Sequence, residues 1–169
     1  MSPSTEARDP DLTHVRHPVC GTRGMVATTE PLATAAGIGI LASGGNAADA
    51  AIATAAALAV VEPNNTGLGG DCFALYRDAG TEEITALNGS GRAPQRLSIG
   101  TLARQGLAEG WPPDHALTIT VPGACAGWFD LHARHASRPM DELLEPAIRL
   151  AEEGFPVAPF NSRLWALGV

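Results

Sequence analysis

Two short stretches hold residue types that could do chemistry on a small molecule. The first is Gly67-Leu68-Gly69-Gly70-Asp71, whose glycines can bring bare backbone close to a ligand. It is not a phosphate loop, because no Lys-Ser/Thr pair follows the glycines. Asp71 is open to two uses: a polar group beside a substrate loop, or a turn carboxylate that bonds nearby backbone amides. The turn is the favoured expectation. The second stretch is Gly89-Ser90-Gly91-Arg92-Ala93-Pro94, an adaptable loop with Ser90 between two glycines and Arg92 just beyond.

Other candidates are weaker. Gly37-Ile38-Gly39-Ile40-Leu41-Ala42 matches the letters of a dinucleotide fingerprint, but it lies inside a helical pattern instead of opening a helix after a strand. Tight helix packing by small residues is the expectation there, with no cofactor. His132 and His135 stand three apart on a helix and could share a metal. Without a nearby carboxylate or Cys ligand pattern, a solvated face is expected and no metal site is assigned. Cys20, Cys72 and Cys125 make an odd, widely spaced set, read as single buried thiols and not as a disulfide framework. Thr28 and Thr29 precede Glu30 without a visible base, so neither reads as a nucleophile.

The loops need elements to hold them. Gly44-Gly45 stops one helix, carried by Leu32 to Leu41 with Pro31 in its first turn. Asn46 can cap the next, and Asp49 in its first turn suits the helix dipole. Ala47 to Val61 has almost no polar side chain, the mark of a buried helix, and Pro63 ends it. Cys72 to Tyr76 and Glu83 to Asn88 read as strands of one hairpin around Arg77-Asp78-Ala79-Gly80. Further strands are expected at Met25 to Thr29 and Leu117 to Val121. Helices are expected near Thr101 to Leu107, from Val121 to about His135, from Met140 to a stop at Gly154, and around Leu164 to Val169. Trp111-Pro112-Pro113 reads as a corner.

Composition bounds the function. A chain of 169 residues with 45% hydrophobic content has room for one sizeable core. A net charge of -7, from 11 basic and 18 acidic residues, argues against a nucleic-acid partner, which needs a basic footprint. Residues 1–23 are polar, without an apolar signal core, and read as a loosely ordered arm before a domain over 24–169. The Ala47 to Val61 run is too short for the roughly 20 residues of a membrane span, so no membrane partner is expected. A cytoplasmic location is the default expectation.

The combined pattern resembles the gamma-glutamyltranspeptidase family of N-terminal-nucleophile hydrolases. It runs Gly-Gly-Asn-Ala-x-Asp-Ala from Gly44, an apolar helix, Glu62-Pro63, and Gly67-Leu68-Gly69-Gly70-x-x-Phe73. It continues through Val121-Pro122-Gly123 with Gly127, and through Leu-Leu-x-Pro-Ala-Ile-x-Leu-Ala-x-x-Gly-Phe from Leu143 to Phe155. Together these cover about residues 24–157.

The resemblance implies an α+β fold, part of a four-layer αββα sandwich, helix-rich in this portion. It implies acyl transfer: attack on a gamma-glutamyl amide such as glutathione, an acyl-enzyme, then release to water or an amine. No cofactor is implied. The family's nucleophile is a Thr freed by self-cleavage, expected downstream of Val169. The chain thus reads as an N-terminal fragment of the large subunit. Its expected partners are a small amide substrate and the rest of the same precursor, and it holds no catalytic residue of its own.

The family also grips the substrate α-carboxylate with an Arg in an Arg-Glu-x-Ala-Pro motif, since a planar guanidinium fork matches a carboxylate. Aligned on Ala93-Pro94, that Arg falls on Ser90, and Arg92 stands two residues later. Ser90 and Arg92 are therefore the substrate-binding candidates, with a surface or ion-paired Arg92 the competing use. The change at Ser90 leaves open an acylase or amidohydrolase acting on another small amide, such as oxamate. A non-catalytic remnant is the further alternative, if these residues are the whole protein.

Overall fold

The computed structural model describes residues 19–107, 109–110, 112 and 115–167. The arm read over 1–23 falls outside them up to position 18, as do Trp111 and Pro113 of the expected corner and the last two positions of the final helix.

Six helices and one hairpin make up the described fold: α1 Pro31–Ala42, α2 Ala47–Val61, β1 Cys72–Arg77, β2 Ile84–Gly89, α3 Ile99–Arg104, α4 Ala124–His135, α5 Met140–Glu153 and α6 Pro159–Leu167. Glu30 caps α1, with Pro31 in the first turn where its missing amide costs nothing. Gly44 then takes φ +91°, a conformation that few other residues accept, and α2 follows almost at once. The result is an αα-hairpin.

α2 is the spine of the fold and packs against α1, α4 and α5. Its alanines permit this, because short side chains let several neighbours come close at once. Ala48, Ile52 and Ala56 of α2 meet Trp128 and Leu131 of α4 and Leu143 and Ala147 of α5 in the main core. Ala57 and Val61 join Ala33 of α1 in a second cluster. Gly37 of α1 bears out the reading of close helix packing: a Cβ there would sit 2.1 Å from Thr54 Oγ1. Gly39 meets nothing within 4 Å, so only one of the two glycines is used this way.

The hairpin pairs antiparallel, with Cys72 opposite Gly89 and Arg77 opposite Ile84. One face, with Cys72, Ala74, Tyr76 and Leu87, packs on the main core. The other exposes Phe73, Leu75 and Ile84 at 67%, 80% and 64%. Among the described residues, the helices lie on one side of this sheet and its other side is open.

Two expected strands are absent. Met25 to Thr29 joins no ladder and bends at Thr29, and its Val26 packs beside Gly37 instead. Leu117 to Val121 begins in a 3-10 turn, Ala116–Thr118, and then makes one strand-like bond, from Val121 N to Arg92 O. Apolar alternation marks which side chains suit a sheet, but a strand also needs a neighbour with free backbone groups. α3 starts two residues earlier than expected, because Ser98 caps it by accepting from Thr101 N. The thiols also differ from expectation: Cys20 and Cys125 are exposed and Cys72 is half-buried. Cys125 lies on the outward side of the first turn of α4, and Cys20 lies ahead of every helix.

Candidate functional site

The Gly67–Asp71 loop is held at both ends. At its root stands Glu62, which is buried, at the C-terminus of α2. Its carboxylate accepts from the Thr29 hydroxyl and from Asn65 Nδ2 at 2.6 Å. Its carbonyl accepts from the Asn65 and Thr66 amides, each at 3.1 Å. Glu62 and Pro63 thus turn the chain out of α2 and brace the loop that follows. In the sequence Glu62 stands out only as the residue before Pro63. The donors Asn65 and Thr66, three and four positions on, were the local signal for its second task.

At the far end, Gly70 O accepts from the amides of Gly123 at 3.0 Å and Ala124 at 2.8 Å. These amides open α4. Asp71 Oδ1 accepts from Gly91 N at 3.1 Å. The expectation of a turn Asp was right about the donor type and wrong about the distance: the amide lies twenty residues away, in the second chemical loop. A side chain at a loop end can reach any segment the fold brings near, and spacing does not show which.

The Ser90–Arg92 loop leaves β2 and folds against the start of α4. Ser90 N donates to Asn88 Oδ1 at 3.0 Å, and Val121 N donates to Arg92 O at 3.0 Å. Three glycines permit the approach. A Cβ on Gly91 would lie 1.7 Å from Val121 O. One on Gly123 would lie 2.4 Å from Gly89 O, and one on Gly127 2.7 Å from the Cys72 Cβ. Real side chains do not fit at such distances.

The structure therefore brings together the two stretches singled out in the sequence. A cleft of about 530 Å³ runs between the first loop and α2 and α4, bordered by Leu58, Thr66, Asp71 and Trp128. A second, of about 700 Å³, is lined by Ser90, Arg92, Pro122 and Asp130 among others. Ser90 and Arg92 are exposed there. Among the described residues the Arg92 guanidinium has no hydrogen-bond or ion-pair partner, as is true also of Arg23, Arg96, Arg134 and Arg163, while Arg77, Arg138 and Arg149 each pair with a glutamate. Asp71 spends its bond on an amide and not on this cation. An exposed guanidinium without a partner is chemically suited to an anion. Among the described residues it shows no paired nucleophile and base.

The histidines are placed elsewhere. His135 stacks on Tyr76, with ring centroids 4.1 Å apart, and its Nε2 lies 3.0 Å from Thr85 Oγ1. His132 donates from Nε2 to Arg138 O at 2.8 Å. Both are packing residues between α4 and its neighbours, not a solvated face. No group of three His, Cys, Asp or Glu among the described residues could hold a metal. No helix among them is long and apolar enough to cross a membrane.

Asn46 and Asp49 do cap α2, in a reciprocal box: Asp49 N donates to Asn46 Oδ1 at 3.0 Å, and Asn46 N to Asp49 Oδ2 at 2.7 Å. Asp49 is fully buried and also accepts from Ser137 N at 2.9 Å, Arg138 N at 3.1 Å and the Ser137 hydroxyl. Burial alone would raise its carboxyl. The Ser137 hydroxyl and the amides of Asn46, Ser137 and Arg138 outweigh that and hold it below the ordinary carboxylate value.

Known proteins resemble this chain in sequence and in fold. The gamma-glutamyltranspeptidase family model matches residues 33–168. An acylase ACY 1 proenzyme of a Pseudomonas species is 39% identical over 95% of the chain and 30% of its own length. The glutathione hydrolase-like YwrD proenzyme of Bacillus subtilis is 40% identical over 86% of the chain and 27% of its own length. Among solved structures, the Helicobacter pylori gamma-glutamyltranspeptidase superposes with a TM-score of 0.80 at 32% identity, over 89% of this chain and 44% of that one. The Bacillus halodurans cephalosporin acylase gives 0.77 at 42%, over 91% and 30%. The chain thus spans under a third of the length of these curated relatives. With four-fifths of its residues inside the family match and its fold superposing on solved members, the chain belongs to the gamma-glutamyltranspeptidase family.

Proposed function

We propose that the protein acts as a gamma-glutamyltransferase-like enzyme that transfers or hydrolyses gamma-glutamyl amides such as glutathione. This chain supplies the part of the site that binds the acyl group. The observation that carries the reading is the unpaired Arg92 guanidinium, exposed in a cleft on a loop whose backbone is bonded at Ser90, Gly91 and Arg92. A cation held in place but left unpaired is ready for a carboxylate, whereas an Arg already in an ion pair would first have to lose its partner.

In the reaction, a hydroxyl attacks the amide carbon and the C–N bond breaks. The amine leaves with a proton, and an ester to the protein remains. Water or a second amine then attacks that ester and frees the hydroxyl. The family resemblance assigns the hydroxyl to a Thr at a new amino terminus in the remainder of a precursor, which is this chain's proposed partner. The relatives named as proenzymes support that division. Arg92 and Ser90 fix the far end of the acyl group, so that the amide carbon sits at a constant place. Positioning of this kind lowers the entropic part of the barrier.

A chromogenic gamma-glutamyl anilide, offered to the full-length gene product, tests the reading. Turnover is expected, and Arg92→Ala should raise KM about 10- to 100-fold, as loss of a charged hydrogen-bonded pair does. Unchanged KM in Arg92→Ala would overturn the role of Arg92. A second reading, an acylase acting on another small amide, draws on Ser90 at the register of the family's usual Arg and on the acylases among the relatives. The comparisons do not favour it over the first. Cleavage of a non-glutamyl amide without gamma-glutamyl turnover would select it.

A further inference from the structure

We infer that Asp71 is a positioning residue for the acyl-binding loop: its carboxylate holds the Gly91 amide and so sets where Ser90 and Arg92 stand. The inference rests on the proposed role of Arg92. Asp71 sits where two fixed points meet. Its own backbone is anchored one residue earlier, because Gly70 O is bonded to the first amides of α4. One residue later β1 begins, paired to β2 from Cys72 onward. The Asp71 side chain reaches from this anchored position across to Gly91.

The geometry sets what the bond can do. Gly91 is the middle residue of the loop, and its backbone lies close against Val121 O and Gly123. The bond from Val121 N to Arg92 O ties the residue after Gly91 to that same segment. The Asp71 bond adds a second tie, at the Gly91 amide itself and from the residue that precedes β1. A carboxylate is a stronger acceptor from an amide than a neutral group would be. The Asp71 carboxylate bonds the Gly91 amide and forms no ion pair with Arg92, which leaves that guanidinium's charge uncompensated. The two roles are kept apart in the structure, where Arg92 has no ion pair among the described residues. A glycine at position 71 would leave the Gly91 amide without this acceptor, so Asp71 is a built feature and not a filler of the turn.

The test is steady-state kinetics on the full-length gene product, comparing Asp71→Ala, Asp71→Asn, Arg92→Ala and the double variant with wild type. Asn keeps the acceptor oxygen, and Ala removes it. Asp71→Ala should raise KM for the gamma-glutamyl anilide about 5- to 20-fold with kcat within about 3-fold, as expected for loss of one charge-assisted bond. Asp71→Asn should recover most of that affinity. Adding Asp71→Ala to Arg92→Ala should raise KM by less than Asp71→Ala does alone, because only Ser90 is then left to place. Should Asp71→Ala fail to fold, Asp71→Gly gives the same comparison with a backbone free to relax.

Failure of the two ideas looks different. A raised KM in Arg92→Ala beside an unchanged KM in Asp71→Ala sinks the positioning role and keeps the carboxylate site. An unchanged KM in Arg92→Ala removes the carboxylate site and the positioning role with it. Additive losses in the double variant, or no recovery with Asn, would show that Asp71 serves general stability, which also overturns the inference.

Discussion

Two carboxylates in this chain, Asp49 and Asp71, hold neighbouring loops in opposite ways. Asp49 is fully buried and accepts from three amides and one hydroxyl, joining the start of α2 to Ser137 and Arg138. Nothing polar is left over. Asp71 is exposed and accepts from one amide, beside a guanidinium without a partner. The first is a finished structural joint, and the second borders a group left available. Unsatisfied capacity on a restrained loop separates the two better than exposure or residue type does. A buried joint carries stability, and the restrained but unpaired cation is the group to which we assign binding as a proposal.

Substitutions can break this contrast. The largest effect on stability is expected from Asp49→Ala, which strands several buried donors and should cost roughly 3 kcal/mol or more in urea unfolding of the full-length protein. A loss under about 1 kcal/mol would show that water replaces Asp49 easily and that the joint is not closed. Gly91→Ala comes next. A Cβ 1.7 Å from Val121 O forces the loop to move, at about 1–3 kcal/mol, and gamma-glutamyl affinity should fall with it. Stability lost with affinity intact would separate the loop from binding.

Acid sharpens the comparison. The Asp49 carboxyl lies below its ordinary value of 3.8 when folded, so the unfolded chain takes up its proton first as pH falls. Its stabilising contribution is complete above that ordinary value and disappears as pH drops through the lower folded one. Asp49→Asn should flatten the acid limb of a plot of urea midpoint against pH. The smallest stability change is expected for Arg92→Ala, within about 0.5 kcal/mol of wild type, since an exposed unpaired side chain holds nothing together. A larger thermal shift would mean that Arg92 has a structural partner.

Much of this was readable beforehand, because its causes are local. Asn46 and Asp49 announce the start of α2, Pro63 announces its end, and alternation in Cys72 to Asn88 announces the hairpin. Both chemical loops were visible as glycine-rich breaks after such elements. What escaped was relational. Met25 to Thr29 has the side chains of a strand, but whether it pairs depends on a neighbour. His135 looks solvated on a helical projection and is covered by Tyr76, which lies 59 positions earlier in the chain. Asp71 and Gly91 give no sign in either stretch that they will meet. The meeting needs β1 and β2 in register and α4 docked across them.

The open side of the hairpin has a consequence in colloidal terms. Phe73, Leu75 and Ile84 form a non-wetting strip on a two-stranded sheet, with backbone edges on both flanks. Produced by itself, this chain should behave as an attractive particle, with a negative second virial coefficient that a lysine at position 75 would drive upward.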